Sequence, residues 1–159
     1  MGVLLAMVGV LAFAATPAQA DPYQNWYYAG DHSQGGTLRS SVNGSYYTYA
    51  TNGTQGVGPV QLTITDRSAD GYRARVWFNI YTCHCTSATY RARALHYDNT
   101  LGAGKSVSIN ADGDGLSSGA PSGTTRFYTV EIKVGRYDGD TGNYSSTTLL
   151  TKQFSLTTS

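Results

Sequence analysis

The two cysteines of the chain offer its most specific chemistry, because Cys83 and Cys85 lie on either side of His84. Cysteine pairs are usually oxidised in secreted proteins, so we predict a Cys83–Cys85 disulfide that fixes a tight turn and displays His84. Zinc binding by this cluster is one alternative, but structural zinc takes four ligands and the segment supplies three. A redox role is another, because strained disulfides are easily reduced. We predict neither a metal nor any other cofactor.

A second group of candidate ligands is the sequence Asn-Ala-Asp-Gly-Asp-Gly at residues 110–115. It resembles the start of a calcium loop, in which oxygen-bearing side chains at alternate positions precede a glycine. A complete loop ends with a bidentate glutamate, and Pro121 stands at that position here. Asp, Asn and Gly are also the usual residues of hairpin turns. We therefore interpret the segment as a turn and keep calcium binding as the alternative.

Two copies of the sequence Tyr-Arg-Ala-Arg, at residues 72–75 and 90–93, place arginines on two neighbouring predicted strands. If His84 lies at the tip of the hairpin, Val76 faces Ala92 and the apolar side chains of both strands share one face. The opposite face then carries Arg73, Arg75, Trp77, Arg91 and Arg93. Such a face suits an anionic glycan or a partner's carboxylates, although charged strand faces also arise simply for solubility.

Aromatic residues are concentrated near the start of the chain, at Tyr23, Trp26, Tyr27 and Tyr28. They precede a segment rich in Gly, Ser, Asp and His that is typical of loops. Large aromatic side chains with few rotatable bonds dominate binding hot spots. We therefore predict that residues 21–58 form a flexible arm whose aromatic residues dock on a partner. The alternative is that these residues form the first strand of the domain.

The residues that common hydrolases need are not arranged for catalysis. The G-x-S-x-G motif of a nucleophile elbow is missing from the sequence. A glycosidase needs two carboxyl groups, one of them in an apolar setting. The aspartates fall in turn-like stretches, and Glu131, the single glutamate, is predicted to point outward from a strand. We predict that the protein is not an enzyme.

The first twenty residues have the apolar run and the final Ala-Gln-Ala of a secretory signal peptide, so we predict a secreted, extracellular protein. The formal net charge of +1 argues against nucleic-acid binding, which usually needs a strongly basic surface. Nothing after the signal peptide is apolar enough to span a membrane, so we predict no membrane insertion.

Period-two alternation of apolar and polar residues predicts strands through most of residues 59–159. The alternation is broken at Leu149 and Leu150, where we predict a β-bulge. We predict an all-β fold, an antiparallel two-sheet β-sandwich of about six to eight strands with a flexible N-terminal arm. The predicted strands lie within residues 59–65, 72–81, 88–97, 105–109, 126–134 and 147–156.

The order of signal peptide, aromatic arm and β domain resembles the small connecting subunit of the umbrella toxin particles that actinobacteria secrete. In that family the subunit links a lectin-bearing subunit to a large toxin protein and has no catalytic activity. The resemblance implies that residues 26–28 enter a cleft on the lectin-bearing subunit.

The expected function is a secreted, non-enzymatic assembly or adaptor subunit. The alternatives are a glycan- or cell-wall-binding module that uses the arginine-rich face, and an inhibitor that inserts the Cys-His-Cys turn into an enzyme cleft.

Overall fold

The computed structural model describes residues 23–83 and 90–159, which form two antiparallel sheets and no helix. No helix long and apolar enough to cross a membrane occurs in these two ranges. The all-β class and the two-sheet sandwich predicted from the sequence are confirmed. The strands are β1 (Tyr23–Gln34), β2 (Thr37–Thr51), β3 (Thr54–Asp66), β4 (Arg73–Cys83), β5 (Tyr90–Asn99), β6 (Ser106–Asn110), β7 (Leu116–Gly119), β8 (Thr125–Tyr137) and β9 (Tyr144–Thr157).

The two sheets have simple strand orders. Sheet I runs β1-β2-β3-β6, and β7 pairs with the start of β3 while β6 pairs with its end. Sheet II runs β5-β4-β8-β9. The sheets pack face to face, with β1 against β9, β2 against β8 and β3 against β4. Each sheet therefore has one face in the core and one outer face.

The core lies between the sheets and takes large apolar side chains from both. Tyr46 and Leu62 of sheet I and Phe78 and Ile132 of sheet II are each at most 2% exposed. The ring of Tyr46 meets that of Phe78 edge-on, with 5.9 Å between centroids. This arrangement follows from the alternation in β3, β4 and β8, which puts one apolar row on the inner face of each strand.

The prediction that residues 21–58 form a flexible arm is wrong for the described part of that range. β1 pairs with β2 along its whole length, from Tyr23 opposite Tyr49 to Gln34 opposite Thr37. The predicted domain boundary at residue 58 falls inside β3. Glycines that suggested a loop instead make room for packing, since a Cβ on Gly44 would lie 2.8 Å from Cζ of Tyr28. The predicted signal peptide, residues 1–20, lies outside the described residues.

The predicted register of the β4–β5 hairpin is also wrong. Val76 lies opposite Tyr97, not Ala92, and Phe78 lies opposite Leu95. This register buries larger apolar side chains against β4 than the two alanines would supply.

The predicted bulge in β9 is confirmed. Ile132 pairs with Leu150 whereas Lys133 pairs with Thr148, so that Leu149 is the extra residue. Its side chain packs against Gly30 of β1, where a Cβ would lie only 3.2 Å from Cγ of Leu149.

Candidate binding surface

The four aromatic residues of β1 point alternately to opposite faces of sheet I. Trp26 and Tyr28 face the core: Nε1 of Trp26 donates to Oγ1 of Thr48 at 3.1 Å, and Tyr28 is 8% exposed. Tyr23 and Tyr27 face outward and are 44% and 84% exposed. The interpretation of all four as one docking peptide is therefore corrected, because two of them stabilise the sandwich itself.

Tyr23 belongs to a cluster of three tyrosines on the outer face of sheet I. Its ring centroid lies 5.5 Å from that of Tyr47 and 6.1 Å from that of Tyr49, with interplanar angles of 22° and 10°. The hydroxyl groups of Tyr49 and Ser117 are hydrogen-bonded at 2.7 Å. We call Tyr23, Tyr47 and Tyr49 the tyrosine cluster. Burial, the Asp112 carboxylate and the Tyr49 hydroxyl raise the pKa of Tyr23, so its hydroxyl stays protonated at neutral pH.

Glycines make it possible for these rings to lie close to the sheet. A Cβ on Gly56 would overlap the ring of Tyr49, and a Cβ on Gly58 would lie 2.9 Å from Cζ of Tyr47. Gly115 comes in from the turn before β7, and a Cβ there would lie 2.7 Å from the hydroxyl oxygen of Tyr47. The cluster is therefore built by β1, β2, β3 and this turn together.

A shallow groove lies on the same face, next to Tyr27. Its volume is about 500 Å³. Tyr27 forms one side, and the exposed amide groups of Asn43 and Gln61 belong to the lining. The remaining lining residues are Tyr28, Ala29, Gly44 and Ser45. Aromatic, amide and hydroxyl groups thus converge on one depression.

The outer face of sheet I carries few charged side chains. Arg67, just after β3, donates from Nε to Oγ of Ser41 at 3.0 Å, and the Asp112 carboxylate lies close enough to act on Tyr23. Alternation and register place fifteen residues of β1, β2 and β3 on it between Tyr23 and Thr65, and Asp31 is the one charged side chain among them. β6 adds Ser106, Ser108 and Asn110. The fifteen residues are Tyr23, Asn25, Tyr27, Ala29, Asp31, Ser41, Asn43, Ser45, Tyr47, Tyr49, Gly56, Gly58, Gln61, Thr63 and Thr65.

The predicted arginine-rich face is only partly present on the outer face of sheet II. Arg73, Arg75, Trp77 and Arg91 lie on that face, but Arg93 lies on the other side of β5, opposite Ile80. The difference arises from the register of β4 with β5 and from a bulge after Ile80.

The central arginine of this face, Arg75, is engaged within the molecule, whereas Arg73 and Arg91 are exposed. Nε and Nη2 of Arg75 lie 2.5 and 2.7 Å from the two carboxylate oxygens of Asp98. Its Cζ lies 3.4 Å from the ring centroid of Tyr137. Nη1 of Arg91 donates to Oδ1 of Asn79 at 3.5 Å. Arg75 is only 9% exposed, so its guanidinium is not available to a ligand.

The turn that resembles a calcium loop instead connects the two sheets. The hydroxyl of Tyr97 donates to Oδ2 of Asp114 at 2.8 Å, and Nε of Arg93 donates to the backbone oxygen of Asp114 at 3.2 Å. Oδ1 of Asn110 accepts a hydrogen bond from the backbone nitrogen of Asp112 at 3.1 Å. These contacts use two of the three oxygen-bearing side chains, which supports the interpretation as a turn.

A buried histidine joins the edge strands of the two sheets. Nδ1 and Nε2 of His32 each lie 3.0 Å from a hydroxyl group of β9, on Thr147 and Ser145 respectively. His32 is 4% exposed. Burial lowers the pKa of His32, and the positive charges of Arg136 and Arg39 lower it further.

The predicted disulfide lies outside the described residues. β4 ends at Cys83, and neither the Cys83 side chain nor residues 84–89 belong to the described part of the chain. The Cys83–Cys85 bond and the display of His84 therefore stay predictions.

Glu131 faces outward as predicted, and neighbouring side chains pair with its carboxylate. Its Oε1 accepts a hydrogen bond from Nδ2 of Asn79 at 2.9 Å and lies 3.1 Å from Nζ of Lys133. Although burial alone would raise the pKa of Glu131, these partners hold it below its usual value.

Sequence reasoning missed Tyr47 and Tyr49 as functional candidates. The alternation in Ser-Tyr-Tyr-Thr-Tyr at residues 45–49, followed by the glycines of Gly-Val-Gly at residues 56–58, was the available signal. Comparison of the chain with models of known families, with curated proteins and with solved structures gives no match.

Proposed function

We propose that the protein is a secreted, non-catalytic module that binds an uncharged glycan on the outer face of sheet I. The observation that carries the proposal is the placement of the tyrosine cluster and the exposed Tyr27 on one neutral face rich in amides and hydroxyls. A sugar ring has apolar C–H faces that stack on aromatic rings and a rim of hydroxyls that pair with amide groups. The groove beside Tyr27 offers both kinds of contact.

The charge of the face favours a neutral ligand. Acidic glycans need cationic side chains that can reach them. Between Tyr23 and Thr65, β1, β2 and β3 present one charged residue on this face, Asp31, and the nearby Arg67 lies at the Ser41 end, away from the tyrosine cluster. On sheet II, Asp98 and Tyr137 engage the central Arg75, which leaves the exposed Arg73 and Arg91 without an accessible arginine between them. Glycan binding is an alternative function expected from the sequence, placed there on the arginine-rich face and directed at an anionic glycan. The site proposed here lies on sheet I instead, and its ligand is a neutral glycan.

A polysaccharide depletion assay tests this function. The protein is mixed with neutral polymers, such as glucan, mannan, xylan and chitin, and with acidic ones, such as pectate and alginate. We expect binding to at least one neutral polymer that persists at high salt, since charge screening does not weaken neutral contacts.

Two alanine variants locate the binding. Tyr27→Ala should lower affinity by about tenfold, the equivalent of about 1.4 kcal/mol. Tyr144→Ala is the matched control, because Tyr144 is also an exposed tyrosine (67%) but lies on sheet II opposite Tyr137. A preference for acidic polymers that salt abolishes, or equal losses in the two variants, would contradict the proposal.

An adaptor role in a secreted complex is the second candidate function. One observation favours it: the outer face of sheet I is rich in Tyr, Ser, Asn and Gly, as antibody paratopes are. Because Trp26 and Tyr28 are buried, a partner would contact Tyr23 and Tyr27 on the sheet instead of a free arm. The resemblance to umbrella toxin subunits names a lectin-bearing subunit and a large toxin protein as the candidate partners.

Co-purification from culture supernatant tests the adaptor role. A tagged wild-type protein should retain its partners, and Tyr27→Ala should release them while Tyr144→Ala does not. Recovery of the wild-type protein alone would contradict this role.

A further inference from the structure

We infer that the ligand is a linear, uncharged oligosaccharide that lies along β1 and contacts the tyrosine cluster and the Tyr27 groove at the same time. This inference rests on the proposed glycan-binding function and names the form of its ligand. It follows from the spacing of the two aromatic sites on one strand and from the chemistry of the surface between them.

The two aromatic sites are too far apart for a single sugar ring. Tyr23 and Tyr27 are four residues apart on β1 and face the same side, which puts their Cα atoms about 13 Å apart at about 3.3 Å per residue. One pyranose ring covers about one aromatic side chain. A chain of at least three sugar residues is needed to contact both sites.

The surface between the sites can hold the middle of such a chain. Asn25 lies midway between the two tyrosines, faces outward and is exposed. Its amide group has both donors and an acceptor for sugar hydroxyls. Tyr47, directly opposite Asn25 on β2, is 7% exposed because its neighbours in the tyrosine cluster cover it. The side-chain order along β1 is therefore aromatic, amide, aromatic.

The pairing of β1 with β2 keeps this order rigid. Tyr23 lies opposite Tyr49 and Tyr27 lies opposite Ser45, without a register shift between them. Two subsites held at a fixed distance bind a chain that matches the distance more tightly than either binds a short ligand, because the second contact becomes intramolecular. The affinity should consequently depend on chain length.

The test is a calorimetric titration of the full chain with a series of oligosaccharides, from one to six residues, cut from a neutral polymer that the protein binds. We expect the affinity to rise at least tenfold between the disaccharide and the tetrasaccharide and to change little beyond that length. Each complex should contain one oligosaccharide.

Variants at the two ends sharpen the test. Tyr23→Ala and Tyr27→Ala should each reduce the hexasaccharide affinity to nearly that of the disaccharide, and Asn25→Ala should have a smaller effect. Tyr144→Ala is the control, and thermal unfolding of each variant verifies that it is folded.

Four outcomes would overturn the inference. If a monosaccharide binds as tightly as the hexasaccharide, or if two short ligands bind independently, the linear ligand is wrong while glycan binding stands. If only one of the two tyrosine variants affects long chains, the ligand does not bridge the two sites. If no neutral polymer binds at all, the proposed function fails and the inference fails with it.

Discussion

The two outer faces of the sandwich differ in what their side chains contact. On sheet II, Arg75 is held by Asp98 and Tyr137, and Glu131 lies against Asn79 and Lys133. On sheet I, most side chains are neutral, and Tyr27, Asn43 and Gln61 beside the groove are exposed to solvent. From the sequence alone, the charged face of sheet II is a more obvious binding site than the face of sheet I. Charges paired with one another stabilise a fold, whereas exposed aromatic rings on a face with few charges remain accessible to a ligand.

The largest expected effect of a substitution on an outer face is on sheet II. Arg75→Ala should lower the free energy of unfolding by about 3 kcal/mol, because it leaves the poorly exposed Asp98 carboxylate without its partner. Urea denaturation measures the change. Arg73→Ala, at an exposed position on the same strand, should change stability by less than about 0.5 kcal/mol. Equal effects of the two variants would show that the Arg75 contacts do not stabilise the fold.

A glycine under the tyrosine cluster should have the next largest effect. Gly56→Ala forces the Tyr49 ring to move, and overpacking of this kind costs about 2 kcal/mol. The same variant should weaken polysaccharide binding, because it displaces a ring of the cluster. Gly119→Ala is the control, since its nearest neighbour, the backbone oxygen of Gly53, would lie 3.8 Å away. Unchanged stability and binding in Gly56→Ala would contradict the described geometry.

Acid should weaken the contact between the edge strands of the two sheets. Burial, Arg136 and Arg39 lower the folded-state pKa of His32, so the unfolded chain takes up its proton first as the pH falls. The stability that neutral His32 contributes is complete above the unfolded-state pKa of about 6.5 and is lost as the pH falls toward the lower folded-state value. The thermal midpoint of the wild-type protein should therefore fall between pH 7 and pH 5 more steeply than that of His32→Asn. Parallel profiles would contradict this assignment.

The smallest expected change in the free energy of unfolding is for an exposed tyrosine of the proposed binding face. Tyr27→Ala removes a side chain that is 84% exposed, so the free energy of unfolding should change by less than about 0.5 kcal/mol. Tyr28→Ala, one residue further on, should cost about 3 kcal/mol because its ring is buried in the core. Urea denaturation of both variants makes the comparison. A large loss in Tyr27→Ala would assign this tyrosine to folding instead of binding.

The fold was predictable where alternation is strict and the residues are β-branched or large. Val60, Leu62 and Ile64 in β3 follow this pattern, and the two adjacent leucines in β9 revealed the bulge at Leu149. β1 was predicted only as the alternative to a flexible arm, because its segment ends in glycines and polar residues. A glycine fits at position 30 because the side chain of Leu149, on β9, packs against it. The sequence around Gly30 does not reveal this contact.

The candidate site was less predictable than the fold, because it depends on register. Tyr23, Tyr47 and Gly58 become neighbours only when β1, β2 and β3 pair as they do. Alternation within one strand is satisfied by several registers, which is also why the pairing of β4 with β5 was predicted wrongly. The sequence therefore predicts Tyr23 and Tyr27 as binding residues but places them on a flexible arm, whereas the structure places them on β1.

Amide NMR shifts during a titration with a neutral oligosaccharide test the central claim most directly. If the glycan binds on the outer face of sheet I, we expect saturable shifts for residues of β1, β2 and β3 around Tyr23, Asn25, Tyr27, Asn43 and Gln61. Residues around Arg75, Trp77 and Glu131 on sheet II should change little. Shifts concentrated on β4, β5 and β8 would place the ligand on the charged face and contradict the account.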